Sequence, residues 1–205
     1  MKFASVATIL ALVVSSNVNA ADYGDYGDFG VSIYGGKTYS SDIKTSRHQK
    51  YELEDDSHFG LSIDKYVPEG RYGFYYGKTE TQLTAYPLNK VEMEYLLFQS
   101  AVVRPLTDNL DVYLGLQLGA TFVDPNFIDS DTFFASGLYT GFEYNLGAGF
   151  HLGAEARWIA TILNNNSKVT CDVDPETQNT CSWHFDNEVM SQYQASATLS
   201  YRFSL

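Results

Sequence analysis

The sequence lacks what it would need to cross a membrane as a helix or to bind a polyanion. Beyond residue 20 no apolar run approaches the roughly 18 residues of a spanning helix, so any passage through a bilayer has to be made by strands. Positive charge is scarce: 13 Lys and Arg stand against 25 Asp and Glu, a formal net charge of −12. Affinity for phosphate backbones comes from clustered Lys and Arg, so a nucleic-acid partner is excluded. There are only 5 Pro, and the Leu-Ala-Glu-Lys mix of helical proteins is thin. Cysteine is limited to Cys171 and Cys181.

What is present favours sheet. Aromatic residues make up 15% of the chain, with 16 Tyr and 13 Phe beside 16 Gly. The first twenty residues have a different character. Lys2 gives a short basic region, Phe3 to Val14 an apolar one, and Val18-Asn19-Ala20 a small-residue cleavage site. Residues 1–20 are therefore expected to be a cleaved signal peptide, since the apolar run is too short for an anchor. Residues 21–28, within a repeated Tyr/Phe-Gly-Asp unit, form a periplasmic lead-in, and 29–205 one domain. In an exported chain Cys171 and Cys181 read as a disulfide closing a small loop, with a metal pair as the alternative.

Period-2 alternation between turn signals recurs eight times. The expected strands lie near Phe29–Lys37, Ser57–Tyr66, Arg71–Thr81, Val91–Val103, Leu110–Phe122, Thr132–Asn145, from Phe150 past Trp158, and Val189–Phe203. The clearest puts Val112, Leu114, Leu116, Leu118 and Ala120 on one face and Asp111, Tyr113, Gly115, Gln117 and Gly119 on the other. In the fourth, Val91, Met93, Tyr95 and Leu97 alternate with Glu92 and Glu94, placing the acids on the polar face, before the pattern blurs around Leu96 to Gln99. Connections alternate between long polar segments (38–56, 82–90, 123–131, 163–188) and short turns (67–70, 104–109, 146–148).

An even number of strands of about ten residues, with short turns at one end and long loops at the other, is the signature of a transmembrane barrel. The fold class expected is all-β: an eight-stranded antiparallel up-and-down transmembrane β-barrel. A lipocalin-like soluble barrel is the structural alternative. Strand-end aromatics Tyr66, Tyr72, Tyr144, Trp158, Tyr193 and Tyr201 are expected in interfacial girdles.

Particular residues resemble a known family. Arg104-Pro105-Leu106-Thr107-Asp108-Asn109-Leu110-Asp111-Val112-Tyr113 resembles the turn and following strand of the OmpA-like transmembrane domain. Gly141-Phe142-Glu143-Tyr144 and Ala154-Glu155-Ala156-Arg157-Trp158 look like its sixth and seventh strands, and Leu199-Ser200-Tyr201-Arg202-Phe203 like the close of its eighth. The likeness covers the second half of the chain well and the first half in strand layout. With the sequence ending two residues after Phe203, the expected build is that of the small OmpX and Ail barrels, without a peptidoglycan-binding domain.

The resemblance implies a charge network inside the lumen, with Glu92, Glu94, Glu143, Glu155, Arg157 and Arg202 as candidates by their facing. It also implies a terminal assembly signal, Tyr201 and Phe203, read by the barrel-assembly machinery after periplasmic chaperones deliver the chain. Acids outnumber Arg in that set, so some carboxylates are expected to be protonated or hydrated.

No catalytic residue, cofactor or metal is assigned. Ser182-Trp183-His184-Phe185-Asp186 gathers Ser, His and Asp but reads as a polar loop, and so does the acidic run Asp172, Asp174 and Glu176. The expected role is structural or surface-interacting, in a monomer set in outer-membrane lipid and lipopolysaccharide whose loops face a host or surface ligand. A narrow small-solute pore and a lipid A-modifying enzyme are the alternatives.

Overall fold

A computed structural model of the protein describes residues 29–41, 43–44, 50–51, 55–83, 86–126, 130–163 and 188–204. Ten strands follow one another: β1 (Phe29–Ser40), β2 (Ile43–Lys44), β3 (Lys50–Tyr51), β4 (Asp56–Val67), β5 (Gly70–Leu83), β6 (Tyr86–Thr107), β7 (Leu110–Pro125), β8 (Asp131–Gly147), β9 (Phe150–Leu163) and β10 (Glu188–Phe203). Among the described residues none is helical. Strands β2 and β3 form a small separate hairpin, and the other eight close in the order β1-β10-β9-β8-β7-β6-β5-β4, every neighbour antiparallel. The expected fold class is the observed one.

Closure and tilt can be read from the register. Starting at Phe29 and passing from partner to partner through Lys65, Tyr72, Ser100, Leu116, Leu138, Trp158 and Tyr193, the path returns to β1 at Tyr39. It comes back ten residues beyond its start, the stagger that tilts eight strands steeply and leaves an interior just wide enough for side chains. Both described chain ends, Phe29 and Phe203, pair at the end that carries the tight turns. One of these turns holds Gly147, Ala148 and Gly149 at positive φ, a conformation glycine adopts without strain. Inside the wall Gly60 and Gly77 face each other in register, and the Tyr75 ring lies over both, so close that a Cβ at either would meet it at 2.8 or 2.6 Å.

The strands outrun their expected limits at the end away from the turns, called here the loop end. The segment 82–90 is the main correction: β5 continues to Leu83 and β6 resumes at Tyr86, so a projecting hairpin stands where a long polar loop was expected. Alternating charges there (Lys78, Glu80, Lys90, Glu92) pair across the hairpin, Lys78 with Glu92 at 2.5 Å and Lys90 with Glu80 at 2.6 Å, and this supports extended backbone. Residues 1–28, the Cys171 to Cys181 segment, His184 and the acidic run 172–176 lie outside the described residues.

Candidate functional site

Around most of the barrel the outside is apolar: Ile63, Phe74, Phe98, Leu116, Leu138, Leu152 and Leu199 are all exposed. The inside of the turn-end half is polar and ionic. Arg71 opens β5, and its Nη1 donates to Glu143 Oε1 on β8 at 2.7 Å. Glu143 Oε2 accepts from Arg202 Nη2 at 2.5 Å, and Arg202 Nη1 reaches Asp111 at 3.6 Å. On its other side Arg71 Nη2 stands 3.8 Å from Glu155 Oε2, and Glu155 Oε1 accepts from Arg157 Nη2 at 2.7 Å and Nε at 3.0 Å. Arg157 also donates to Gln117 Oε1, and to Gln99 Oε1 at 3.1 Å; Gln99 in turn donates to Asp64 Oδ1 at 2.9 Å. An unbroken chain therefore runs Asp111, Arg202, Glu143, Arg71, Glu155, Arg157, Gln99, Asp64.

Aromatic faces complete it. The Arg157 guanidinium lies 3.6 Å from the Tyr75 ring centroid, Arg71 4.0 Å from that of Tyr113, and Arg202 4.1 Å from that of Tyr66. Planar guanidinium groups suit this stacking because they are weakly hydrated and keep their charge when buried. Buried charge is tolerable only when it is paired and hydrogen-bonded, and here three arginines meet Glu143 and Glu155, with Asp111 part-exposed at the rim, while Asp64 accepts from Gln99 and Ser62.

Glu143, Glu155, Arg157 and Arg202 thus sit together in the lumen, and two of the expected residues do not. Glu92 and Glu94 point outward, with side chains 34% and 36% exposed, while Val91, Met93, Tyr95 and Leu97 point in and are buried. The facing expected for this part of β6 is reversed. The physical reason lies along the barrel axis. On β5 the outward series is Tyr72, Phe74, Tyr76 and then Lys78, Glu80; on β6 it is Val102, Ser100, Phe98, Leu96 and then Glu94, Glu92, Lys90. On β5 and β6 the loop-end part of the wall trades its apolar outer row for a charged one, while Phe122, the β7 partner of Glu94, stays apolar and exposed.

The inside changes with it. Val91, Met93, Tyr95, Leu97, Phe133, Ala135, Ile159, Leu163 and Met190 pack into one apolar cluster with Tyr34 and Tyr75. Tyr95 spans the lumen from β6 to donate its hydroxyl to Gln192 on β10, directly opposite in the ring of strands. The lumen is therefore two-tiered, ionic toward the turns and, toward the loops, an uncharged tier in which the apolar cluster packs beside the hydrogen-bonded Thr121, Thr161 and Gln192.

Arg71 and Asp64 were missed as network members in the sequence. Their parity was visible, since Arg71 shares a face with Gly73, Tyr75 and Gly77, but Arg71 follows the Pro68-Glu69-Gly70 turn and reads as part of it. With both included and Glu92 and Glu94 removed, the buried charges balance, which removes the expected acid surplus. Tyr66 is a further correction: it is only 6% exposed and faces inward, because Arg202 takes its ring as a partner. The other girdle candidates, Tyr72, Tyr144, Trp158, Tyr193 and Tyr201, face out. At the terminus Tyr201 and Phe203 stack at 6.1 Å and Phe203 meets Phe29 at 6.3 Å, on the outer surface at the turn end.

Closed register, apolar belt and ion-paired interior define a small eight-stranded β-barrel of the transmembrane kind. Solved structures agree on the fold. The chain is similar to Neisserial surface protein A, with a TM-score of 0.59 at 15% identity over 86% of this chain and 98% of that one. It is similar to outer membrane protein H of P. aeruginosa, with a TM-score of 0.51 at 20% identity over 85% and 100%. It is also similar to the outer membrane protein AlkL in lipid bilayers, with a TM-score of 0.51 at 12% identity over 94% and 98%. No protein-family profile and no curated protein matches the sequence.

Proposed function

We propose that the protein is a monomeric, exported outer-membrane anchor whose work is done on its outer surface. In this reading the signal peptide 1–20 is removed, the tight turns face the periplasm, and the loops and the projecting β5–β6 hairpin face outward among lipopolysaccharide and any host or surface ligand. Tyr201 and Phe203 offer the barrel-assembly machinery an aromatic end, and Cys171 and Cys181 pin the last loop as a disulfide. The observation that carries the reading is the filled lumen. Ion pairs occupy one tier and packed apolar side chains the other, so the interior has the build of a plug, and the exposed elements are left as the surface on which a ligand would act.

The test is ion conductance of the purified barrel in planar bilayers. A silent wild type supports the surface role. Steady single-channel currents would replace it with the narrow-pore reading.

A further inference from the structure

The two tiers differ in how completely their polar atoms are satisfied. Three hydroxyls in the ionic tier, Ser32 Oγ, Thr198 Oγ1 and Ser200 Oγ, are buried and have no hydrogen-bond partner among the described residues. They are neighbours on one wall: Ser32 and Ser200 are partners in the β1–β10 register, and Thr198 is the next inward-facing residue of β10. Arg202 Nε, on the same inward row of β10, and Gln194 Nε2 farther along it are likewise without a partner among the described residues. Gly153 stands in register with Thr198, and a Cβ there would come within 2.8 Å of Thr198 Oγ1, so a larger residue would crowd the hydroxyl. Buried polar groups in native proteins are nearly always hydrogen-bonded, to ordered water where no protein atom is available. The loop-end tier has little to offer water: Tyr95, Leu97 and Ile159 are completely buried, and the polar side chains beside them are bonded to one another, Tyr95 to Gln192, Thr121 to Thr161 at 3.0 Å, and His58 to Thr38 at 3.1 Å and Ser196 at 2.8 Å.

We propose that the barrel is sealed by its apolar tier and not by its ion pairs. The lower lumen binds a column of water along the β1–β10 wall, at Ser32, Thr198 and Ser200, in exchange with solvent at the turn end past the part-exposed Asp111. The column ends beneath Tyr95, Leu97 and Ile159, where an apolar constriction excludes ions by staying dry. This rests on the closed-lumen reading above, and the two fail differently: currents through the wild type would end that reading, whereas the location of the seal is decided by variants of a silent wild type.

The experiment pairs two measurements on the full mature chain. In deuterated detergent micelles, magnetisation transfer from water is recorded by NMR on the wild type, so nothing depends on a variant folding. Transfer is expected at Ser32, Thr198 and Ser200 and not at Met93, Leu97 or Ile159; no transfer at the three hydroxyl positions, or transfer throughout the apolar tier, would overturn the proposal. In planar bilayers Leu97→Ser and Ile159→Ser, each first shown to retain its heat-modifiable gel shift, are compared with Glu155→Gln. The serine variants are expected to open steady single-channel currents where the wild type is silent, by wetting the constriction, while Glu155→Gln stays at baseline. Silence of both folded serine variants, or opening by Glu155→Gln alone, would return the seal to the ion pairs.

Discussion

At the scale of single residues, adjacent positions can have opposite solvents. Leu116 is 65% exposed on the lipid side of β7, and its neighbour Gln117 is buried, accepting from Arg157 and donating to the Trp158 carbonyl at 3.0 Å. Arginine at Leu116 should destabilise the barrel by about 2–4 kcal/mol, the cost of a cation near the middle of the lipid belt, read as a shift in the urea unfolding midpoint in vesicles. Gln117→Arg looks harmless from sequence alone, as a polar lumen position, but here it would set a second guanidinium against Arg157. Glu155→Gln should cost about 3–5 kcal/mol in the same assay, because Arg157 and Arg71 would lose the carboxylate they share. A loss below about 1 kcal/mol would mean that Gln99, Gln117 and the Tyr75 face suffice to hold Arg157.

At the scale of elements, most strands were legible because one rule governs their whole length: apolar to lipid, small or polar to the lumen. Strand β7 follows it from Val112 to Phe122, and its expected faces are the observed ones. Strand β6 was not, because it crosses from one regime to the other. From Val103 to Leu97 its inward row descends in parity with the buried polar Gln99, and beyond that the same row is Tyr95, Met93 and Val91 while Glu94 and Glu92 face out. No residue is skipped: the pairing with β5 stays in register from Gly70 to Gln82. Only the meaning of each face changes, so hydropathy alternation blurs at Leu96 to Gln99 and then reverses phase. The charge network was half legible for the same reason, since Glu143, Glu155, Arg157 and Arg202 sit in strands where the rule holds. The regime change predicts unequal costs. Tyr95→Ala should lose about 3–5 kcal/mol by emptying the centre of the apolar tier, whereas Lys78→Ala, which breaks solvent-screened pairs with Glu92 and Glu94, should leave the unfolding midpoint close to that of the wild type. Equal costs would mean that the projecting wall is not solvated.

At the scale of the whole molecule, closure is what makes the chain compatible with lipid. Every barrel strand has two antiparallel neighbours, so no edge presents unpaired N–H and C=O groups to hydrocarbon. Because the ring shuts between β1 and β10, first and last in the chain, the structure forms wholly or not at all, and the ten-residue stagger couples all eight strands to that one seam. The Phe29 and Phe203 rings clasp the seam at its turn end. The purified protein should therefore migrate fast in SDS without boiling and slow down after boiling, with β-rich circular dichroism in mild detergent. Removing the seam pairing should abolish the fast form outright instead of weakening it in proportion: deletion of residues 199–205 takes away the partners of Phe29 to Ile33 and ought to leave only the slow species. A deletion variant that still ran fast would mean that the remaining register from Tyr34 to Ser40 closes the barrel unaided, and a full-length protein soluble without detergent and indifferent to boiling would contradict the lipid-facing belt itself.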